Sequence, residues 1–458
     1  MHHELAQRID ELPLAASART GERASLAAWY ALWVLVGVTV LRWVDQTVLT
    51  IGMEPMKKSL SLTDGQLGLL QGLGLTFAAA LGSVPLAWLA DRFDRRWVLA
   101  GCILFWSAAT AGRGVGTGFG NVMLSTASMS LAEAGLFPIA YAIIPSLFRG
   151  RQRATANLIF YAAGALGYSG ALMLGGGIFS LLEKHAAMLP EAIRNMESWR
   201  TASFAVALVG PLLAVLVVCI RDHQTVDHDR PKANVRKIAA TTTITAHFRT
   251  HWRAVLGAYG ASILCAAALS PLLAWLPSGV SRRFGATPAE VGAQVGTVFV
   301  AASIAGICLS GVLNRWLRAR HGEMVAMRIA PTLTVLSAVP LAATAMVSSA
   351  WAVYAMVFLN VFALVAFNAC LPSTIQGVVP SSIRARATAV FTAVLMLATS
   401  AGPVAVGYIT EHLAGQPNGI LIACAAIGTP ILLLSALLAR WSRPAVKSTL
   451  AEVRLEEA

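Results

Sequence analysis

The apolar residues of this chain fall into long uninterrupted blocks, each of 18 residues or more, and that spacing limits its possible folds more than any other feature. An α-helix rises 1.5 Å per residue, so every block can cross a hydrocarbon core of about 30 Å. Within hydrocarbon each backbone N–H and C=O must be paired internally, which selects helices. Only 12% of the 458 residues are charged and 57% are apolar, against roughly 25% and 45–50% in soluble domains. The blocks lie near 27–52, 65–90, 97–114, 120–145, 154–182, 201–220, 254–279, 289–313, 326–348, 350–379, 387–410 and 419–440. The expectation is an all-α membrane protein with twelve transmembrane helices.

An even number of spans puts both termini on one side, and the Lys/Arg bias of the loops says which. Both tails and five connections on one side hold 26 basic residues, with Arg92, Arg95, Arg96, Arg384 and Arg386 among them. The opposite side holds eight, counting Arg113 in a Gly-rich run, Gly112 to Gly120, read as a turn between the third and fourth helices. This bias makes both termini cytosolic. It also accounts for the net charge of +13 through topology and anionic lipid headgroups, without nucleic acid. Residues 1–25 lack the apolar core of a signal peptide and are expected to form a cytosolic tail.

The basic stretch 221–253 divides the chain in two, and the parts echo each other. Arg151-Gln152-Arg153-Ala154-Thr155-Ala156 recurs 233 residues later as Arg384-Ala385-Arg386-Ala387-Thr388-Ala389, each time opening the fifth helix of its half. A match at equivalent positions indicates a duplicated bundle. The expected domains are a six-helix bundle over 26–220, a cytosolic loop over 221–253, a second bundle over 254–440 and a tail over 441–458.

Ionisable residues inside these helices mark the candidate site, because burial in lipid drives them toward a bundle interior or an aqueous cavity. Arg42 and Asp45 are one turn apart on the first helix and can pair within it. Glu133 lies mid-way along the fourth helix with no basic neighbour in sequence. If the three share one cavity, desolvation and carboxylate repulsion favour the neutral form of one acid, which can then carry a proton between the two sides. The connection Asp91-Arg92-Phe93-Asp94-Arg95-Arg96 suits a cytosolic latch, in which Asp91 pairs with Arg384 or Arg386 in one state only. Tyr161, Tyr168, Asn360, Asn368 and Gln376 are further cavity candidates. The six cysteines stand singly and read as buried small side chains, and the nine histidines lie in the N-terminal tail, in connections or at block ends, so no metal site or other cofactor is expected beyond a possible coupling proton. No register of the Gly-rich run fits a phosphate loop, and no serine-hydrolase or metalloprotease motif is present, which argues against an enzyme.

The turn after the second helix resembles the signature of the major facilitator superfamily, with Asp91, Arg92, Arg95 and Arg96 matching and Ala87 and Asp94 standing where that motif has glycines. Finer features resemble the spinster-type branch and its bacterial relatives: Asp45 in the first helix, Ala132-Glu133-Ala134 in the fourth, Phe160-Tyr161 in the fifth, and Trp199-Arg200 leading into the sixth. Two departures stand out. Thr126 occupies the place of an arginine seven residues before the glutamate, and Gln46 that of an arginine after the aspartate; Arg42 is the candidate replacement cation.

The resemblance implies two six-helix bundles around a central cavity, in a monomer of the bacterial inner membrane that works by alternating access. It points to proton-coupled transport through Asp45 and Glu133, with Arg42, Thr126 and the residues above lining the cavity. An amphipathic substrate of lysolipid or sphingolipid type fits one cation in a largely apolar cavity. A carrier of small organic anions, and a non-transporting sensor on the same fold, are the alternatives.

Overall fold

A computed structural model of the chain describes residues 25–148, 150–188, 190–220, 244–413 and 416–457. Among the described residues all regular structure is helical. Eleven helices can span a membrane by length and composition, and one bent pair makes a twelfth. In chain order they are α1 (Leu26–Ile51), α2 (Asp64–Arg92), α3 (Arg95–Val115), α4 (Phe119–Leu147), α5 (Gly150–Ala165 and Gly167–Lys184), α6 (Ser198–Val218), α7 (Trp252–Phe284), α8 (Pro288–His321), α9 (Val325–Ala343), α10 (Ala350–Gly377), α11 (Ser381–His412) and α12 (Gly419–Glu457).

The starts of these helices are written locally. Ser25 caps α1, Asp94 caps α3, and reciprocal capping boxes open α2 (Thr63 with Gln66) and α8 (Thr287 with Glu290). Interior prolines such as Pro85, Pro211, Pro277 and Pro403 are tolerated because neighbouring helices can satisfy the carbonyls they free. The apolar faces turn outward, as at Val84, Leu208 and Val339, while Thr110, Arg113, Glu133 and Asn360 are buried. A soluble protein shows the reverse.

Two parts of the expected tails and loop, residues 1–24 and 221–243, lie outside the described residues. Residues 244–250 form a short helix rather than a loop. The segment expected as a tail from residue 441 instead continues α12 to Glu457, because Val446, Leu450 and Val453 share one buried face. Arg443 fixes that extension by donating to the carbonyls of Met327 and Arg328, and Arg454 pairs with Glu323. Of the six cysteines, Cys219 and Cys308 are exposed and the other four are buried.

α1–α6 pack as one bundle and α7–α12 as another. The bundles meet along two helix crossings, α5 with α8 and α2 with α11, which exchange under the half-to-half repeat. Both crossings lie toward the side opposite the chain termini, here called the distal side. Glycines allow backbone contact there: a Cβ on Gly176 would come 2.7 Å from the Cα of Gly292, and one on Gly68 would come 2.7 Å from the Pro403 carbonyl oxygen. Toward the terminal side, Ala78–Arg92 of α2 and Gly150–Ala165 of α5 pack against their own bundle. The molecule is closed distally and open on the terminal side.

Candidate functional site

A cavity of about 370 Å³ lies between the bundles, lined by residues of α1, α2, α5, α7, α10 and α11. Arg42, Trp43, Gln46 and Thr50 reach it from α1, Gln71 from α2, Tyr168 from α5 and Asn368 from α10; most of the remaining wall is aliphatic. Arg42 is the one basic residue lining it among those described.

Arg42 and Asp45 do not pair, contrary to the sequence-based expectation. Asp45 is fully buried and bound by Arg113, whose Nη2 stands 2.6 Å from Oδ1, while the Thr110 hydroxyl donates to Oδ2. Arg113 is itself fully buried, with Nε directed to Ser203 Oγ at 3.3 Å and Nη1 to Met129 Sδ at 3.4 Å. The Gly112–Gly120 turn is therefore shorter than expected: α3 runs through Arg113 to Val115, and Arg200 closes its end by donating to the carbonyls of Gly114 and Gly116, each at 2.8 Å. One residue thus moves from the distal charge tally into the core. The missed signal was spacing, since Trp106, Thr110 and Arg113 lie three and four apart on one helical face and all are buried.

Glu133 ends the first part of α4, just before a break at Ala134-Gly135. Its Oε2 accepts from Gln46 Nε2 at 2.9 Å and lies 3.4 Å from Arg42 Nε. Gln46, a departure from the spinster-type pattern, supplies an amide where that pattern has a guanidinium. Arg42 stacks over Trp43 and Phe137 with its carbon Cζ 4.7 and 5.3 Å from the ring centres. Arg42 Nε and Nη1, Trp43 Nε1 and Glu133 Oε1 are buried without a hydrogen-bond partner. With Arg113 included, the four buried groups form two ion pairs and sum to zero, not to the −1 expected from three.

The other candidates divide. Tyr168 and Asn368 line the cavity, whereas Thr126 is buried against Gly74 of α2 and is not part of the cavity wall. Asn360 is buried between α10 and α9, donating to Ser337. Tyr161 is 60% exposed and Gln376 is exposed at the terminal end of α10, both outside the cavity wall.

On the terminal side, Asp91 is exposed and Arg92 covers the Trp88 ring. Arg95 donates to the Ala142 carbonyl, and Arg96 binds Asp94 and the Ile220 carbonyl. The Arg96 guanidinium holds the Asp94 carboxyl below its ordinary pKa. Arg384 turns to the Val379 carbonyl of its own bundle, and Arg386 is exposed. The expected Asp91 latch belongs to a state shut on the terminal side, and this structure is open there. A different set of charges closes the distal side: Arg282 of α7 binds Glu54 at 2.8 Å and both Asp64 oxygens at 2.5 and 2.7 Å, Lys57 adds a contact to Asp64 at 2.6 Å, and Glu411 accepts from the Gly65 N–H at 2.8 Å.

This fold, with its cavity between two six-helix bundles, has a match among family models: residues 35–403 fit the Major Facilitator Superfamily, and the chain belongs to that family of membrane transporters. Among similar proteins, an MFS-type efflux pump of Mycolicibacterium smegmatis is 27% identical over 420 residues, covering 89% of each chain. A probable galactarate/D-glucarate transporter of Bacillus subtilis is 22% identical over 440 residues, covering 89% of this chain and 91% of its own. The Drosophila melanogaster protein spinster is 23% identical over 404 residues, covering 85% of this chain and 64% of its own. A solved structure of a bacterial homologue of the human lysosomal transporter Spinster, inward-facing and unoccupied, superposes with a TM-score of 0.72 at 20% identity, covering 94% of this chain and 98% of that one. The protein is a multi-pass integral membrane protein of this transporter fold.

Proposed function

We propose that the chain is a proton-coupled secondary transporter that moves an amphipathic substrate, with an anionic or zwitterionic head, by alternating access. One observation carries this reading. Arg42 and Trp43 line a largely aliphatic cavity, their buried donors Arg42 Nε, Arg42 Nη1 and Trp43 Nε1 have no hydrogen-bond partner, and Arg42 shares its charge with Glu133. Buried donors without partners are costly unless a ligand satisfies them. An anionic head arriving at Arg42 competes with Glu133 for the guanidinium, and a carboxylate stripped of its counter-charge in low dielectric takes up a proton. Binding of the head and of a proton are thereby linked. Asp45, fixed by Arg113 and Thr110, acts in this scheme as the standing counter-charge rather than the exchanging acid. With the termini cytosolic, as the loop charges indicate, the present state faces the cytosol.

Small organic anions are the second reading, favoured by the sugar-acid transporters among the relatives. A dicarboxylate calls for a second cation, and among the described residues the cavity wall offers only Arg42. The test is flux in proteoliposomes under an imposed pH gradient. Glu133→Gln should abolish proton-driven flux while substrate-induced thermal stabilisation persists. Undiminished flux in that variant would remove Glu133 from the coupling, and saturable sugar-acid uptake that lysolipids do not compete with would replace the amphipathic substrate by the small anion.

A further inference from the structure

We propose that Tyr168 is a positioning residue of the transport cycle, tying the two bundles together at the floor of the cavity, and that Pro277 is what gives it a partner. In an unbroken helix the Leu273 carbonyl would accept from the N–H of residue 277, and proline has none. Leu273 lines the cavity, and a carbonyl freed there is open to a partner from outside its own helix. The Tyr168 hydroxyl donates to it at 2.6 Å, from α5 of the other bundle. A carbonyl that Pro277 leaves without its helical donor is thus satisfied across the bundle interface in this distally shut state.

The surroundings of Tyr168 connect this bond to the cavity. Its neighbour Gly167 is the first residue after the break at which α5 turns by 54°. Trp43 of α1 lies so close on Gly167 that a Cβ there would stand 2.1 Å from the indole Cδ1. The Trp43 and Tyr168 rings meet edge-on at 6.0 Å, and Tyr168 meets Phe299 of α8 at the same distance. Trp43 also carries the Arg42 guanidinium. A contiguous set of contacts therefore runs from Arg42 through Trp43 to the hinge of α5 and on to the freed carbonyl of α7. On this proposal, opening the distal side breaks the Tyr168 bond and exchanges the protein donor of the Leu273 carbonyl for cavity water.

This inference needs alternating access only and holds whichever substrate is carried, so its test reads conformation and not flux. Spin labels at the exposed distal positions Lys184 and Gln416, with exposed Cys219 and Cys308 changed to Ser, report the width of the distal mouth. Tyr168→Phe keeps the ring and removes the donor, and should raise the distally open population roughly three- to tenfold, the worth of one hydrogen bond. Pro277→Ala restores a helical N–H to the Leu273 carbonyl, so the carbonyl keeps a protein donor in the open state. That variant should show a similar shift, and adding Tyr168→Phe to it should add little. An unchanged distance distribution in Tyr168→Phe overturns the proposal, as do fully additive shifts in the double variant. If Pro277→Ala does not fold, Tyr168→Phe alone decides the matter.

Discussion

Arg113 offers the sharpest test of the site's architecture. It and Asp45 have no solvent exposure, stand 2.6 Å apart, and come from α3 and α1 of the same bundle. Removing one partner of a buried pair leaves an uncompensated charge, at a cost of about 3–5 kcal/mol. At about 1.4 kcal/mol per factor of ten, Arg113→Leu should lower the folded-to-unfolded ratio by roughly two to three and a half orders of magnitude. Asp45→Asn added to Arg113→Leu removes the stranded charge and should recover much of that loss, because a buried ion pair replaced by neutral groups is often tolerated. Unfolding of purified protein in detergent, across wild type, both single variants and the double variant, gives the coupling energy directly. A coupling of about 2 kcal/mol or more is expected from the cost of the stranded charge. Additive losses would refute the pairing and return Asp45 to the role of a cavity acid.

Arg282→Ala should weaken distal closure and move the population toward distally open states by about 1–3 kcal/mol, read as slower cross-linking between cysteines placed at Lys58 and Gln416. Asp91→Asn should leave the present state unaltered, because Asp91 is exposed here, but should reduce cross-links across the terminal mouth when that side is driven shut; equal cross-linking in both proteins removes the latch. Glu133→Gln, tested in proteoliposomes as above, should separate binding from proton-driven flux.

The spans were legible because membrane helices repeat one constraint: 18 or more mostly apolar residues, bounded by charges, by Gly/Pro clusters or, before α10, by Ser348-Ser349. The 54° break in α5 falls between Gly164 and Gly167, where Trp43 packs directly on Gly167, and no residue of that stretch announces the bend by itself. Asp45, Glu133 and Arg42 were recognisable as intramembrane charges, but their pairing was not. Spacing along α1 favours Arg42 with Asp45, and only the approach of α3 hands Asp45 to Arg113 and leaves Arg42 to Glu133. Arg113 itself was masked by its glycine neighbours, which read as a turn, while the helix continues because Arg200 caps its last carbonyls. The distal latch was hidden for a different reason: Arg282 is more than 200 residues from Glu54 and Asp64, and each of the three resembles an ordinary loop charge.

Both buried ion pairs belong to the first bundle, whereas the polar ties between the bundles described above all lie on the distal side, at Tyr168, Arg282 and Glu411. The first bundle can therefore rock as a unit without separating Asp45 from Arg113 or Glu133 from Gln46. What a change at Glu133 can do is redirect Arg42, because Arg42 is held by one carboxylate and two aromatic faces rather than by a full set of hydrogen bonds. Arg42 rests on Trp43, and Trp43 rests on the hinge of α5 beside Tyr168. In the proposed scheme coupling needs no long relay: protonation or a bound head would change the position of one guanidinium, and the next two contacts reach Tyr168, one of the ties between the bundles.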